Sequence, residues 1–432
     1  MHGIAHLEVN SAPVALPATL AVLQETRRDE KRPLGSGSHG HRLPSLHRLI
    51  LATAALLYLA TPAPASAEEP APAPPVAEAD APGPHIALIL PTDSKQLAAP
   101  ADIVRQGVMA AEARLGDDNT PKVRLYPTGA GDEEGILAYR QAAIRGAVGV
   151  IGPLTRGAIA KLAAFGKLDV PVLALNTLDE TITPPTNLFA LGLSIEAETR
   201  QIARNMQRDG RKMPVLIETE GLLAKRMREA FTAEWQLLTG KAPDVIALGT
   251  DKDAVWKLKE TVAALRADAL FMAADQKKAR LIRPYIGTER PIYATSQVWS
   301  GKFGKQAGAN VDLLGVKFVD MPWLLEPYQP DVLAYKQADK PLGPDMQRLY
   351  ALGIDAYRLS LLLLVSAPGA AIEVQGVSGV LKLSANRQFS RELMSGEVGG
   401  QPRTPAPPKL EVPPEPAPSP EEGITATTQP AE

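Results

Sequence analysis

The sequence predicts an α/β protein of two doubly wound parallel-sheet lobes with disordered, proline-rich ends. Three observations carry that expectation. Residues 147–177, AVGVIGPLTRGAIAKLAAFGKLDVPVLALNT, read as one complete strand, helix and strand. A second series of alternating strands and helices, similar in length to the first, begins after Leu193. The 40 prolines crowd toward the two ends of the chain and leave a body with regular alternation between them. Two βα series of like size fold as two lobes more readily than as one long sheet.

The 147–177 unit sets the frame. Residues 148–151 form a short, apolar, β-branched run closed by Gly152 and Pro153, which is how a strand buried on both faces looks. Ile159, Leu162, Ala163 and Leu168 recur at helical spacing, and 170–175 is a second apolar run led by Pro171. A crossover this short joins parallel strands, and such crossovers are right-handed in about 98% of cases. Pro153 and Asn176 therefore end their strands on one edge of the sheet, the carboxyl edge, where α/β proteins place ligands and partners.

Taken from the N-terminus, residues 49–60 (LILATAALLYLA) follow His47 and Arg48 and precede a Pro/Ala stretch ending Ala65-Ser66-Ala67. Basic flank, short apolar core and small-x-small site describe a secretory signal peptide cleaved near Ala67. Twelve apolar residues are too few to span a bilayer, which needs roughly twenty. Nearly fifty residues stand before that core, more than the roughly 15–30 of a whole secretory signal, which leaves the start open between Met1 and a downstream codon other than Met, since no internal Met precedes Met109. Residues 68–83 alternate Pro and Ala and read as a linker. The far end, 397–432, is a Pro-rich acidic tail expected to be disordered and to act as a spacer, with a docking ligand as the alternative.

Between these ends the expected order is strand 85–90, a loop at 91–99, and a helix whose inner face is Ile103, Gly107, Val108, Ala111 and Leu115. Strand 122–126 and helix 133–145 lead into the 147–177 unit. Strand 188–193 follows. Ser194 is placed to cap the next helix, with Glu196 and Glu198 in its first turn, where each carboxylate gains about 0.3–1 kcal/mol from the helix dipole. The second series reads strand 215–218, helix 222–238, strand 245–248, helix 254–265, strand 269–273, short helix 279–285 and strand 292–295. Strand 314–320 runs into Met321-Pro322-Trp323-Leu324-Leu325. Leu349, Leu352, Ala356, Leu359 and Leu363 then stripe an apolar helix, with Asp355 and Arg358 off the stripe, and 380–383 is one more strand. The chain divides into 1–67 leader and signal peptide, 68–83 linker, 84–193 plus 326–371 as lobe 1, 194–325 plus 372–396 as lobe 2, and the 397–432 tail.

Composition excludes several chemistries. There is no cysteine, so disulfides, thiolate metal sites, cysteine nucleophiles and a lipid anchor through cysteine are all ruled out for this sequence. Five of the six histidines precede the apolar segment, leaving His85 alone in the body, too little for a serine triad or a zinc site. No Walker lysine pattern and no dinucleotide glycine fingerprint follows a strand. Residues 1–67 hold six Lys/Arg and four Asp/Glu, so the remainder carries 40 against 44, a balance that argues against a nucleic-acid partner. A pair of carboxylates for glycan cleavage is conceivable, but no spacing nominates one. Neither cofactor nor catalytic residue is expected.

Four segments carry a family resemblance: Tyr293-Ala294-Thr295-Ser296, residues 319–325 (VDMPWLL), residues 348–359 (RLYALGIDAYRL) and residues 376–389, in that order, with Gly152-Pro153-Leu154 and Leu173-Ala174-Leu175-Asn176 in agreement. They resemble the penicillin-binding-protein activators, the LppC-type lipoproteins, over about 84–394. The two-lobe pattern resembles the type 1 periplasmic-binding-protein fold. The resemblance implies a non-enzymatic periplasmic regulator that binds a class A penicillin-binding protein, a peptidoglycan synthase, and stimulates its cross-linking. Members of that family carry a lipidated cysteine and an N-terminal helical-repeat domain; this sequence has no cysteine, and a linker where that domain would stand.

The strand ends supply the candidate site. Thr92, Asp93, Ser94, Thr155, Asn176, Thr177, Glu220, Asp275, Ser296 and Gln297 should face a cleft between the lobes. Thr155 is placed to cap its helix and offer backbone N–H groups to an anion, although such caps commonly serve only their own helix. Asp320, Pro322 and Trp323 fall at an expected lobe crossing, where Trp323 serves as hinge packing or as a partner contact and Asp320 as a local hydrogen-bonding group. The alternative to the regulator is a solute-binding protein of an uptake system, holding an amino acid or related small molecule among those same polar groups.

Overall fold

The computed structural model describes residues 82–179, 181–248, 252–304 and 308–403. The expected leader, signal peptide and most of the linker, and the tail beyond Arg403, lie outside the described residues.

The chain builds two sheets. The first series runs β1 (His85–Leu90), α1 (Ala98–Leu115), β2 (Lys122–Pro127), α2 (Asp132–Ile144), β3 (Ala147–Ile151), α3 (Arg156–Ala164), β4 (Val172–Ala174) and β5 (Leu188–Leu191). The second runs α4 (Ile195–Arg208), β6 (Pro214–Glu218), α5 (Leu222–Thr239), β7 (Asp244–Ala247), α6 (Lys252–Ala264), β8 (Ala269–Ala273), α7 (Gln276–Ile282), β9 (Ile292–Ala294) and β10 (Lys317–Asp320). The chain then returns through α8 (Pro322–Leu325), α9 (Pro330–Leu333) and the long α10 (Pro344–Val365). It ends in β11 (Glu373–Gly376), β12 (Gly379–Leu383), β13 (Gln388–Glu392) and β14 (Met394–Glu397).

Eight strands make the first sheet, in the order β11-β12-β13-β5-β4-β3-β1-β2, and six make the second, β14-β10-β9-β8-β6-β7. From β13 to β2 every neighbouring pair is parallel, and in the second sheet only β14 runs antiparallel, against β10. The central strands are apolar along their whole length because helices cover both faces: β1 and β8 are buried at every position.

Helix packing decides details that periodicity alone misplaces. The inner face of α1 is Pro100, Ala101, Val104, Gly107, Val108 and Ala111, while Ile103 is half-buried and Leu115 exposed, against the expected face. The cause is the crossing with α10. A Cβ on Gly107 would sit 2.1 Å from the Tyr350 carbonyl oxygen, and one on Gly353 would sit 2.3 Å from that of Val104, so the two backbones touch where only glycine fits. That contact fixes the rotation of α1 about its axis. Asp355, expected off the apolar stripe of α10, is fully buried.

Two expected boundaries are corrected. Residues 372–396 were assigned to the second lobe, but β11, β12 and β13 belong to the first sheet, where β13 pairs in parallel with β5, and only β14 joins the second. These strands are half polar, because the hairpin extends the edge of the sheet where one face meets water. The tail was expected to begin at 397. Instead β14 reaches Glu397, Val398 N–H donates to the Val316 carbonyl at 2.9 Å, and Arg403 N–H donates to that of Leu325 at 3.2 Å.

Candidate functional site at the seam between the lobes

The chain passes between the sheets three times, at 192–194, after Asp320 and at Leu393, and these passages lie together. Helix α4 opens with the Ser194 cap, whose Oγ accepts from Ala197 N–H at 3.2 Å. Its buried stripe is Ile195, Glu198, Thr199, Ile202 and Met206, so Glu198 points into the protein while Glu196, two residues earlier, points to the cleft. Gln201 holds the third passage like a strand partner: its Nε2 donates to the Leu393 carbonyl at 2.7 Å and its Oε1 accepts from Leu393 N–H at 2.9 Å.

A buried polar network fills the seam. Arg348 of α10 grips Asp320 with both arms, Nε to Oδ1 at 3.0 Å and Nη2 to Oδ2 at 2.6 Å. The same guanidinium donates to the Ser296 carbonyl at 3.2 Å and to Asp345 at 2.7 Å. Ser296 Oγ in turn donates to Glu198 at 2.7 Å. Below it, Asp355 accepts from the backbone N–H groups of Val377 and Ser378 at 3.1 and 2.7 Å, from Ser378 Oγ at 2.6 Å and from Arg358 at 3.1 Å. Arg391 donates to the Ser378 carbonyl at 3.1 Å and faces Glu198, Asp320 and Asp355.

Burial and pairing compete over the protonation of this network. Burial pushes the Glu198 carboxyl above its ordinary value despite Arg391 and Arg348, and raises Asp355 against the hydrogen bonds from Ser378. Burial alone would lower Arg348, but the Asp320 carboxylate outweighs it and the guanidinium is held more firmly charged. Arg391, bonded to no carboxylate among the described residues, is lowered by burial.

The cleft wall is a different environment. Glu196 accepts from Arg226 Nε at 2.6 Å and from Ser194 Oγ at 2.8 Å. Burial opposes its charge, yet the Arg226 bond and charge outweigh that and hold the carboxyl below its ordinary value. Across from it Arg156, on the first lobe, is lowered by burial and then by the neighbouring Arg226, with Glu196 and Asp179 acting the other way. Two arginines and two carboxylates from both lobes thus face one another at the cleft.

The sequence-derived candidates separate into groups. Thr155, Asn176 and Thr177 come together: Thr155 Oγ1 accepts from Ala158 N–H at 3.4 Å, Asn176 Nδ2 donates to the Leu154 carbonyl at 3.0 Å, and Asn176 Oδ1 accepts from Thr177 N–H at 2.9 Å and Arg156 Nε at 3.5 Å. Glu220 and Asp275 meet at Lys278, whose Nζ donates to the Glu220 carbonyl at 2.7 Å and lies 3.8 Å from the Asp275 carboxylate, which also caps α7. Ser296 and Asp320 are buried members of the seam, and Gln297 lies half-buried beside Ser296. Pro322 starts α8, while Trp323 is buried, its N–H donating to the Val377 carbonyl at 2.9 Å and its ring 5.5 Å from that of Tyr350. Thr92, Asp93 and Ser94 are not drawn to the others: Asp93 N–H bonds Thr128, and Ser94 Oγ accepts from Leu97 N–H at 3.3 Å. Sequence reasoning missed Glu198, Arg348 and Arg391 as seam residues. For Glu198 the signal was present, since it falls three residues after Ile195 and four before Ile202, on the apolar stripe.

Comparisons with known proteins agree with this architecture. A penicillin-binding protein activator LpoA from Vibrio antiquarius is 28% identical over 351 residues, covering 72% of this chain and 57% of its own length. With the Haemophilus ducreyi relative at 52%, the chain spans about half the length of the curated relatives it matches. The structure of a putative branched-chain amino acid ABC transporter from Chromobacterium violaceum is 37% identical, covers 73% of this chain and 100% of its own, and has a TM-score of 0.63. The LpoA C-domain from Haemophilus influenzae, described as a regulator of PBP1A, shares the fold at 22% identity, a TM-score of 0.59 and 98% coverage of that domain. The family model described as LppC putative lipoprotein matches residues 80–266 and 259–398, through both lobes, and the chain belongs to that family.

Proposed function

We propose that this protein is a non-enzymatic regulator of the cell envelope that docks onto a class A penicillin-binding protein and raises its peptidoglycan cross-linking. One observation carries the reading: the family match runs through both lobes, and curated relatives across that span are named penicillin-binding protein activators. The seam chemistry supports it. Ser296, Glu198, Asp320 and Arg348 direct their bonds at one another, tying the lobe passages together, as suits a body that acts by presenting a fixed surface. Work in the periplasm follows from the same reading, with export directed by the signal peptide ending near Ala67. A stable contact of this kind would bury about 1,600 Å² in total.

The test is a pull-down with purified class A penicillin-binding proteins together with a cross-linking assay. Retention and a rise in cross-linked product are expected; the absence of both overturns the proposal.

A second reading, a solute-binding protein, is favoured by the whole-length match to the Chromobacterium violaceum structure and by Arg156, Arg226 and Glu196 at the cleft. An amino acid bound there would stabilise the protein by about 2.7 kcal/mol at a hundredfold excess over its Kd. Melting curves unmoved by amino acids, amides and muropeptides remove that reading.

A further inference from the structure

Away from the seam, the second lobe holds a cavity of about 480 Å³, within the size range of ligand pockets. Four aromatic side chains, Tyr293, Trp299, Phe303 and Phe318, converge on it, in a chain with only 5% aromatics. Its remaining wall carries the donors Asn205, Arg208, Lys317, Gln401 and Arg403 together with the carboxylates Asp209 and Glu397. Lys317 is engaged with Asp209 at 3.1 Å; among the described residues Arg208 bonds Asn205 and pairs with Glu392 at 3.6 Å, while the Arg403 side chain donates only to the Ser395 carbonyl. An aromatic floor with donors at the rim is the arrangement that receives extended, proline-rich peptide, which offers carbonyl acceptors and few N–H donors.

Such a peptide begins at the cavity itself. Arg403, the last described residue, is one of the lining residues, and the next seventeen, 404–420, read TPAPPKLEVPPEPAPSP. Eight of the seventeen are prolines, without N–H groups, and Glu411 and Glu415 against Lys409 leave the segment net negative. Arg403 already lines the cavity, so the chain that follows needs no long span to reach it. Tethering supplies a local concentration on the order of millimolar, so modest intrinsic affinity suffices.

We propose that the cavity lined by Tyr293, Trp299, Phe303 and Phe318 is a proline-rich-peptide site, and that its occupant is this chain's own segment 404–420. The proposal does not depend on the synthase reading and is tested without a synthase. In the full chain, residues 404–420 are replaced by a Gly/Ser sequence of equal length, and binding of a fluorescent synthetic 404–420 peptide is followed by anisotropy. The replaced chain should bind the peptide saturably, and the native chain at least tenfold more weakly because its site is filled. Arg208→Glu in the replaced chain, with unchanged melting, should weaken binding about tenfold. No binding by the replaced chain overturns the proposal. Equal binding by both chains also overturns it, since the site is then open to a foreign proline-rich partner and not held by its own tail. Binding that ignores Arg208→Glu places the peptide elsewhere and overturns it too.

Discussion

Glu196 and Glu198 lie two residues apart on the first turn of α4, and the protein treats them in opposite ways. Glu196 faces the cleft, where Arg226 holds its charge below the ordinary carboxyl range; Glu198 faces the seam, where burial pushes its carboxyl up. Successive helical residues turn by about 100°, so two steps carry a side chain to nearly the opposite face. The helix dipole acts on both and decides neither. What decides is whether an arginine lies within bonding distance or whether water is excluded without one. The cleft wall is built from charges that stay charged, and the seam from charges whose state depends on one another.

The largest effect expected is at the seam. Arg348→Ala leaves Asp320 buried without its partner and should cost about 3–5 kcal/mol, read as a shift in the urea midpoint, whereas Arg348→Met combined with Asp320→Leu should be close to neutral. If the single and double variants are equally destabilised, the seam is held by packing and the contrast with the cleft disappears. As a yardstick from a dry contact, Gly107→Ala forces α1 away from α10 and should cost about 1–3 kcal/mol in the same assay.

The two glutamates themselves should sharpen the comparison through pH. A carboxyl whose folded pKa is raised binds its proton more tightly in the native state. Its contribution therefore grows as pH falls from above that raised value toward about 4.5. Glu198→Gln should remove that slope and stabilise the protein at neutral pH. Glu196 has the opposite sign: its stabilisation is present above about 4.5 and is lost as pH falls through its lowered folded value, so Glu196→Gln should weaken the protein at neutral pH and flatten the acid limb. Melting temperatures across pH 3–8 for both variants check this, and slopes of the same sign would sink the distinction. The smallest effect belongs to the cleft: Thr155→Ala removes the cap of α3 and should cost about 1 kcal/mol without changing the pH profile.

The βα series was legible because each parallel strand is a short apolar run, such as HIALIL at β1 and ALFMA at β8, and the intervening helices show their period. The caps at Thr155 and Ser194 were legible for a local reason, since a hydroxyl three residues before a free N–H needs no tertiary information. Of the C-terminal strands only β12 was, as 380–383. EVQG and QFSRE carry no apolar alternation, and their place in the first sheet depends on β5, some two hundred residues earlier. Of the candidate site, Thr155, Asn176 and Asp320 could be placed at strand ends. The seam partners of Asp320 could not, because Arg348 and Arg391 reach it from elements far along the chain.

The third passage has a further consequence. Strand β13 ends in one sheet at Glu392 and β14 begins in the other at Met394, so Leu393 alone joins them. Side chains alternate along a strand, and a one-residue change in spacing turns every following residue over. Inserting a single residue at 393 would rotate 394–397 so that its solvent-facing side chains pointed inward, and the Gln201 fork would grip the wrong peptide unit. At this passage the spacing between the two halves of the protein thus hangs on a single amino acid.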